Sequence, residues 1–88
     1  MIASGITTHA SYRLQQRAIP VFVIDLLERF GSEERCGQAD RLFFDKRAIK
    51  RLKQHFGGAR GLRLIDRWLG VYAVIGDNGR VVTIAHRH

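Results

Sequence analysis

His9, Arg13 and Arg17 recur at intervals of four within Thr8-His9-Ala10-Ser11-Tyr12-Arg13-Leu14-Gln15-Gln16-Arg17. Residues four apart on a helix stand one above another, so His9 and Arg13 become neighbours. Gln16 then lies beside them and Arg17 flanks the row. An imidazole titrates near neutrality, whereas a guanidinium keeps its charge at any working pH. Together they suit phosphate chemistry. A positioned imidazole transfers a proton, worth roughly 10²–10⁴-fold in rate. An arginine grips a phosphate through two parallel hydrogen bonds that lysine cannot reproduce. Metal-independent RNA cleavage asks for such groups: the ribose 2′-hydroxyl must be activated, the leaving 5′-oxygen protonated and the charged phosphorane held. Tyr12, about one turn along from His9, is placed to stack a base.

The charge of the chain points the same way. Its formal net charge is +7, and it is unevenly placed. Arg41, Lys46, Arg47, Lys50, Arg51, Lys53, Arg60, Arg63 and Arg67 face only Asp45 and Asp66 within residues 41–67, which therefore hold the entire excess. The preceding stretch, with Asp25, Glu28, Glu33, Glu34 and Asp40, is balanced or acidic. A basic segment of this kind implies a polyanionic partner, and nucleic acid is the commonest. Lys46, Arg47, Lys50, Arg51, Lys53, Arg63 and Arg67 are the candidate phosphate contacts.

These residues need elements to hold them. Eighty-eight residues suffice for one domain, spanning 1–88, with a single modest core. The hydrophobic fraction of 45% is that of an ordinary globular chain. Its apolar runs fall far short of the roughly 20 residues a membrane helix needs. The first residues lack a basic leader and a long apolar stretch, so no secretory signal and a cytoplasmic location are expected. Cys36 is the only cysteine, which excludes an internal disulfide and a cysteine-based zinc site. His9, His86 and His88 have no metal-ligand spacing, so neither a metal nor another cofactor is expected.

The pattern predicts a helix over residues 8–17, capped by Thr7 or Thr8, with Ala10, Leu14 and Ala18 turned inward. Pro20 suits the first turn of a second helix, 21–30, which offers Phe22, Ile24, Leu26, Leu27 and Phe30 to the core and ends at Gly31. Short strands are expected at 35–38 and 41–44. Asp45 caps a third helix, 46–56, whose apolar stripe is Ile49, Leu52 and Phe56, and Gly57-Gly58 stops it. Further strands are expected at 62–65, 68–75 and 80–86, the last two joined through Asp77-Asn78-Gly79. The strand at 68–75 is apolar on both faces and so central. In the last strand Val82, Ile84 and His86 are expected to share one face, and Val81, Thr83, Ala85 and Arg87 the other. Trp68 and Phe43 are assigned to the core, and His55 to a helix end that favours positive charge. Helices first and antiparallel strands last make an α+β fold.

The opening His-Ala-x-x-Arg-x-x-x-Arg helix, the basic third helix and the closing Val-Val-Thr strand resemble an uncharacterised family of small prokaryotic domains. By fold that family is similar to the RelE/barnase–EndoU–colicin superfamily of toxin-type ribonucleases, and the resemblance runs from about residue 8 to residue 87. It implies N-terminal helices packed on a four- or five-stranded antiparallel sheet, and a toxin or effector encoded beside an antitoxin or immunity protein. Carried over by position, the family's polar residues fall on His9, Arg13, Arg17 and Thr83. Ala18 departs from the glycine that many relatives have after the second arginine.

Two functions of different class follow. One is a metal-independent endoribonuclease, with His9 as general acid or base, Arg13 and Arg17 on the phosphate, and Thr83 offering its hydroxyl. The other is a module of the same fold that binds nucleic acid, or docks an acidic antitoxin or immunity protein, without turnover. The lack of a second evident catalytic base favours the latter. RNA is the expected partner, a membrane is not, and an edge strand near Arg35 is open to a second copy of the chain or to a partner's strand.

Overall fold

The computed structural model describes residues 5–7, 10 and 19–87. Helix α1 is Phe22–Phe30. It starts just after Pro20, whose carbonyl accepts the first backbone bond, from Val23 N–H at 3.1 Å. Gly31 ends it by returning its N–H to the Leu27 carbonyl at 2.9 Å. A Cβ at Gly31 would meet that same oxygen at 2.4 Å, so only glycine permits so tight an exit. Val23, Ile24, Leu26 and Leu27 form the buried side of α1. Phe22, expected in the core, is instead 46% exposed. It stands at the flank of the arc those four residues fill, and rests edge-to-face on Trp68 with ring centroids 5.2 Å apart.

Strands β2 (Ser32–Cys36) and β3 (Ala39–Phe43) form one hairpin, and β4 (Val71–Ile75) and β5 (Arg80–His86) form another. The Asp77-Asn78-Gly79 turn closes the second as expected. Gly79 takes a φ of 78°, which side chains resist, and the Asn78 carboxamide oxygen accepts from Arg80 N–H at 3.0 Å. The two hairpins join through β3 and β4, giving four antiparallel strands with the doubly apolar β4 in the interior. The short β1 (Gly5–Ile6) adds to β5 in parallel, so the five-stranded sheet is antiparallel in four strands only. Helix α2 (Lys46–His55) follows β3, so helices and strands interleave rather than separate into a helical half and a sheet half.

Residues 62–65 are not a strand. Helix α3 (Ala59–Leu62) and a 3₁₀ turn (Asp66–Trp68) occupy this region, held by bonds such as Leu62 N–H to the Gly58 carbonyl at 3.1 Å. Burial there follows a helical period: Ile65 is 4% exposed and Leu64 75%, whereas strand alternation would bury Leu62 with Leu64. A second correction concerns β5. Thr83 pairs with Val74 but Val81 with Ile75, a one-residue slip that turns Val81 to the core side along with Ile84. Leu42, Ala73 and Ile84 align across β3, β4 and β5 and are buried with the apolar side of α1 in one cluster. Ala10 joins that cluster, fully buried, and its N–H donates to Thr7 Oγ1 at 3.1 Å, as a cap three residues away would accept. Among the described residues no helix is long and apolar enough to cross a membrane.

Candidate nucleic-acid interface

Helix α2 owes its boundaries to two local devices. Asp45 Oδ1 accepts from Ala48 N–H at 2.8 Å and from the Ser32 hydroxyl at 2.7 Å. Those bonds, the hydroxyl's first, hold the Asp45 carboxyl below the ordinary aspartate range. At the other end Phe56, Gly57 and Gly58 return their N–H groups to the last carbonyls. Ala48 and Leu52 are buried, with Ile49 and Phe56 packed against the core. That leaves Lys46, Lys50 and Lys53 along the opposite side at spacings of four and three, with Arg47 and Arg51 beside them. All five are exposed.

Helix α2 contains no acidic residue, and among the described residues none of its cations takes part in an ion pair. Its charges oppose its own stability. Lys46 and Arg47 crowd the positive end of the helix dipole, and like charges meet at Lys46–Lys50, Lys50–Lys53 and Arg47–Arg51. Each such pair costs about 0.2–0.5 kcal/mol. Arg51 alone has a structural duty. Its Nε donates to the Phe30 carbonyl at 3.0 Å and its Nη2 to Ser32 Oγ at 3.4 Å, tying α2 to the end of α1. The other four face solvent.

The remaining expected site residues are dispersed. Arg63 follows α3 and Arg67 lies in the 3₁₀ turn, both exposed, with the Arg67 guanidinium 5.4 Å from the centre of the Trp68 ring. Thr83 is half-exposed on the sheet face turned away from the buried Ile84, in register with Val74 and then Arg41. Helix α2 packs on α1, which covers the buried face, so Thr83 and the α2 cations stand on opposite sides of the sheet. His9, Tyr12, Arg13 and Arg17 lie outside the described residues. His55 ends α2 as expected and its ring meets Phe30 at a tilt and Phe56 edge-to-face, at 4.7 and 5.0 Å between ring centroids.

The sheet face bearing Thr83 holds a group that the sequence reading passed over. Arg41 lies over Phe43 at 5.0 Å and Tyr72 at 5.7 Å, and its Nη2 meets Glu34 Oε2 at 3.4 Å. Arg41 Nε is buried and has no hydrogen-bond partner among the described residues. Phe43 is therefore half-exposed under a guanidinium, not in the core. The signal was present in strand alternation, which sets Arg41 and Phe43 on one side of β3. A pocket of about 230 Å³ opens at this end of the sheet between Phe43, Phe44, Leu69, Gly70, Val71 and Arg87. Arg87 is its one charged group, so it offers no acid–base pair. No cluster of three or more histidine, cysteine, aspartate or glutamate side chains able to hold a metal ion occurs among the described residues. No family model, curated protein or solved structure matches the chain.

Proposed function

We propose that the chain is an RNA-binding domain of the toxin-type ribonuclease kind, engaging the phosphate backbone through α2 and cleaving it without a metal. One observation carries the binding half: α2 exposes Lys46, Arg47, Lys50 and Lys53 on one helix that contains no acidic residue, and among the described residues none of the four is ion-paired. A phosphate backbone supplies the missing counter-charge. The α+β arrangement, with helices over one face of a mainly antiparallel sheet, supports the RelE/barnase-like assignment of the fold.

The cleavage half rests on the spacing of His9, Arg13 and Arg17 in the sequence. In that reaction the 2′-oxygen attacks phosphorus and the P–O5′ bond breaks, giving a 2′,3′-cyclic phosphate and a 5′-hydroxyl. His9 performs one of the two proton transfers, while Arg13 and Arg17 hold the phosphate oxygens. Thr83, on the sheet face turned away from α2, takes no part in a site built on that helix. Wild-type protein incubated with RNA in chelator between pH 5 and 8 is expected to release cyclic-phosphate ends, and His9→Ala to bind RNA without cleaving it. Intact RNA with wild type and His9→Ala alike overturns the enzymatic half.

Binding without turnover is the second reading, and a specific observation favours it. At the start of α2 Asp45 is committed to the helix cap and Ser32 to Asp45, and at its end the His55 ring lies against Phe30 and Phe56, so no acid–base pair is assembled there among the described residues. On this reading α2 is also the surface that an acidic antitoxin or immunity protein covers, and such a protein competes with RNA for it.

A further inference from the structure

We infer that Phe22 and Trp68 form a stacking platform for the bases of single-stranded RNA, an extension that rests on the proposed RNA binding by α2. Phe22 is 46% exposed at the first position of the amphipathic helix α1, an uncommon setting for so large an apolar side chain. Its partner Trp68, half-buried where it packs against the core, meets it edge-to-face at 5.2 Å, and the Arg67 guanidinium sits 5.4 Å over the Trp68 ring. With the guanidinium over the indole, the exposed Phe22 ring is the surface on which a base stacks while the cation follows the adjacent phosphate.

Charge selects this occupant over an apolar peptide. The chain that connects α2 to Trp68 carries Arg60, Arg63 and Arg67, all exposed, against Asp66 alone. Along the chain, exposed cations thus run from α2 to Arg67 beside Trp68. Helix α2 holds phosphates irrespective of base; the platform adds contact with the bases themselves and makes the site selective for unpaired strands.

Trp68 is the only tryptophan, so its emission reports directly on this position. The test titrates wild-type protein with end-labelled oligouridylate and follows label anisotropy and Trp68 fluorescence together. Two controls accompany it: an abasic phosphodiester of equal length, and the exposed-ring variant Phe22→Leu. Trp68 quenching that tracks anisotropy is expected. Abasic strand and Phe22→Leu should each weaken binding, by roughly 5-fold or more. Phe22→Leu keeps an apolar side chain, and its melting curve separates lost stacking from lost folding. Binding with unchanged Trp68 emission and no preference for bases overturns the platform and leaves α2 standing. Absence of any RNA binding removes both. Quenching by an acidic amphipathic peptide but not by RNA reassigns the patch to a protein partner and overturns the inference.

Discussion

At the residue scale, Asp45 decides where the basic helix begins. It serves three groups at once: the Ala48 N–H, the Ser32 hydroxyl and, through Ser32, the Arg51 guanidinium. Removing it by Asp45→Ala is expected to destabilise the fold, as loss of a helix cap does. The pH dependence follows from the lowered pKa of its carboxyl. A depressed acid adds stability that is fully present above its unfolded-state value and is lost as pH falls through its folded-state value. Urea melts of wild type and Asp45→Ala should therefore differ at neutrality and converge in acid, below the ordinary aspartate range. A constant gap across that range would show that the capping charge contributes nothing.

At the element scale, α2 combines good folding signals with a poor charge distribution. Its limits were legible because cap, apolar stripe and glycine stop agree: Asp45, then Leu52 and Phe56, then Gly57-Gly58. Residues 62–65 were misread because Leu62, Leu64 and Ile65 satisfy either period over so few positions, and only packing of Ile65 decides between them. Phe22 misled in another way, since apolar type cannot tell a core position from the flank of one. Thr83 was legible as a strand residue, but not its separation from α2, because that depends on which sheet face α1 covers. The charge pattern yields a prediction of its own. Changing Lys46, Lys50 and Lys53 together to glutamine keeps helix propensity almost unchanged while removing like-charge contacts. Thermal melting of that variant is expected at or above the wild-type temperature. A clear loss of stability would mean that those lysines serve the fold.

At the scale of the whole molecule, one core joins both layers, and Leu27 and Ile84 meet it from the helix and the sheet side, each fully buried. Leu27→Ala is expected to destabilise by about 2–5 kcal/mol in chemical denaturation. One terminal strand of the sheet, β2, carries Glu33, Glu34 and Arg35, and charges of this kind discourage strand addition. Arg35 is further held there by Asp40 and Asp77 at 3.2 and 3.1 Å. The β2 edge thus carries paired charges, whereas among the described residues the α2 cations take part in no ion pair. That asymmetry is the reason to place the polyanion on α2. Its most direct test is the salt dependence of affinity for single-stranded RNA, compared between wild type and the Lys46/Lys50/Lys53→Gln variant. Each phosphate contact on a single strand contributes roughly 0.7 to the slope of log affinity against log salt, so the variant should bind more weakly with a slope shallower by about 2. Equal affinities and equal slopes for the two proteins would contradict the account.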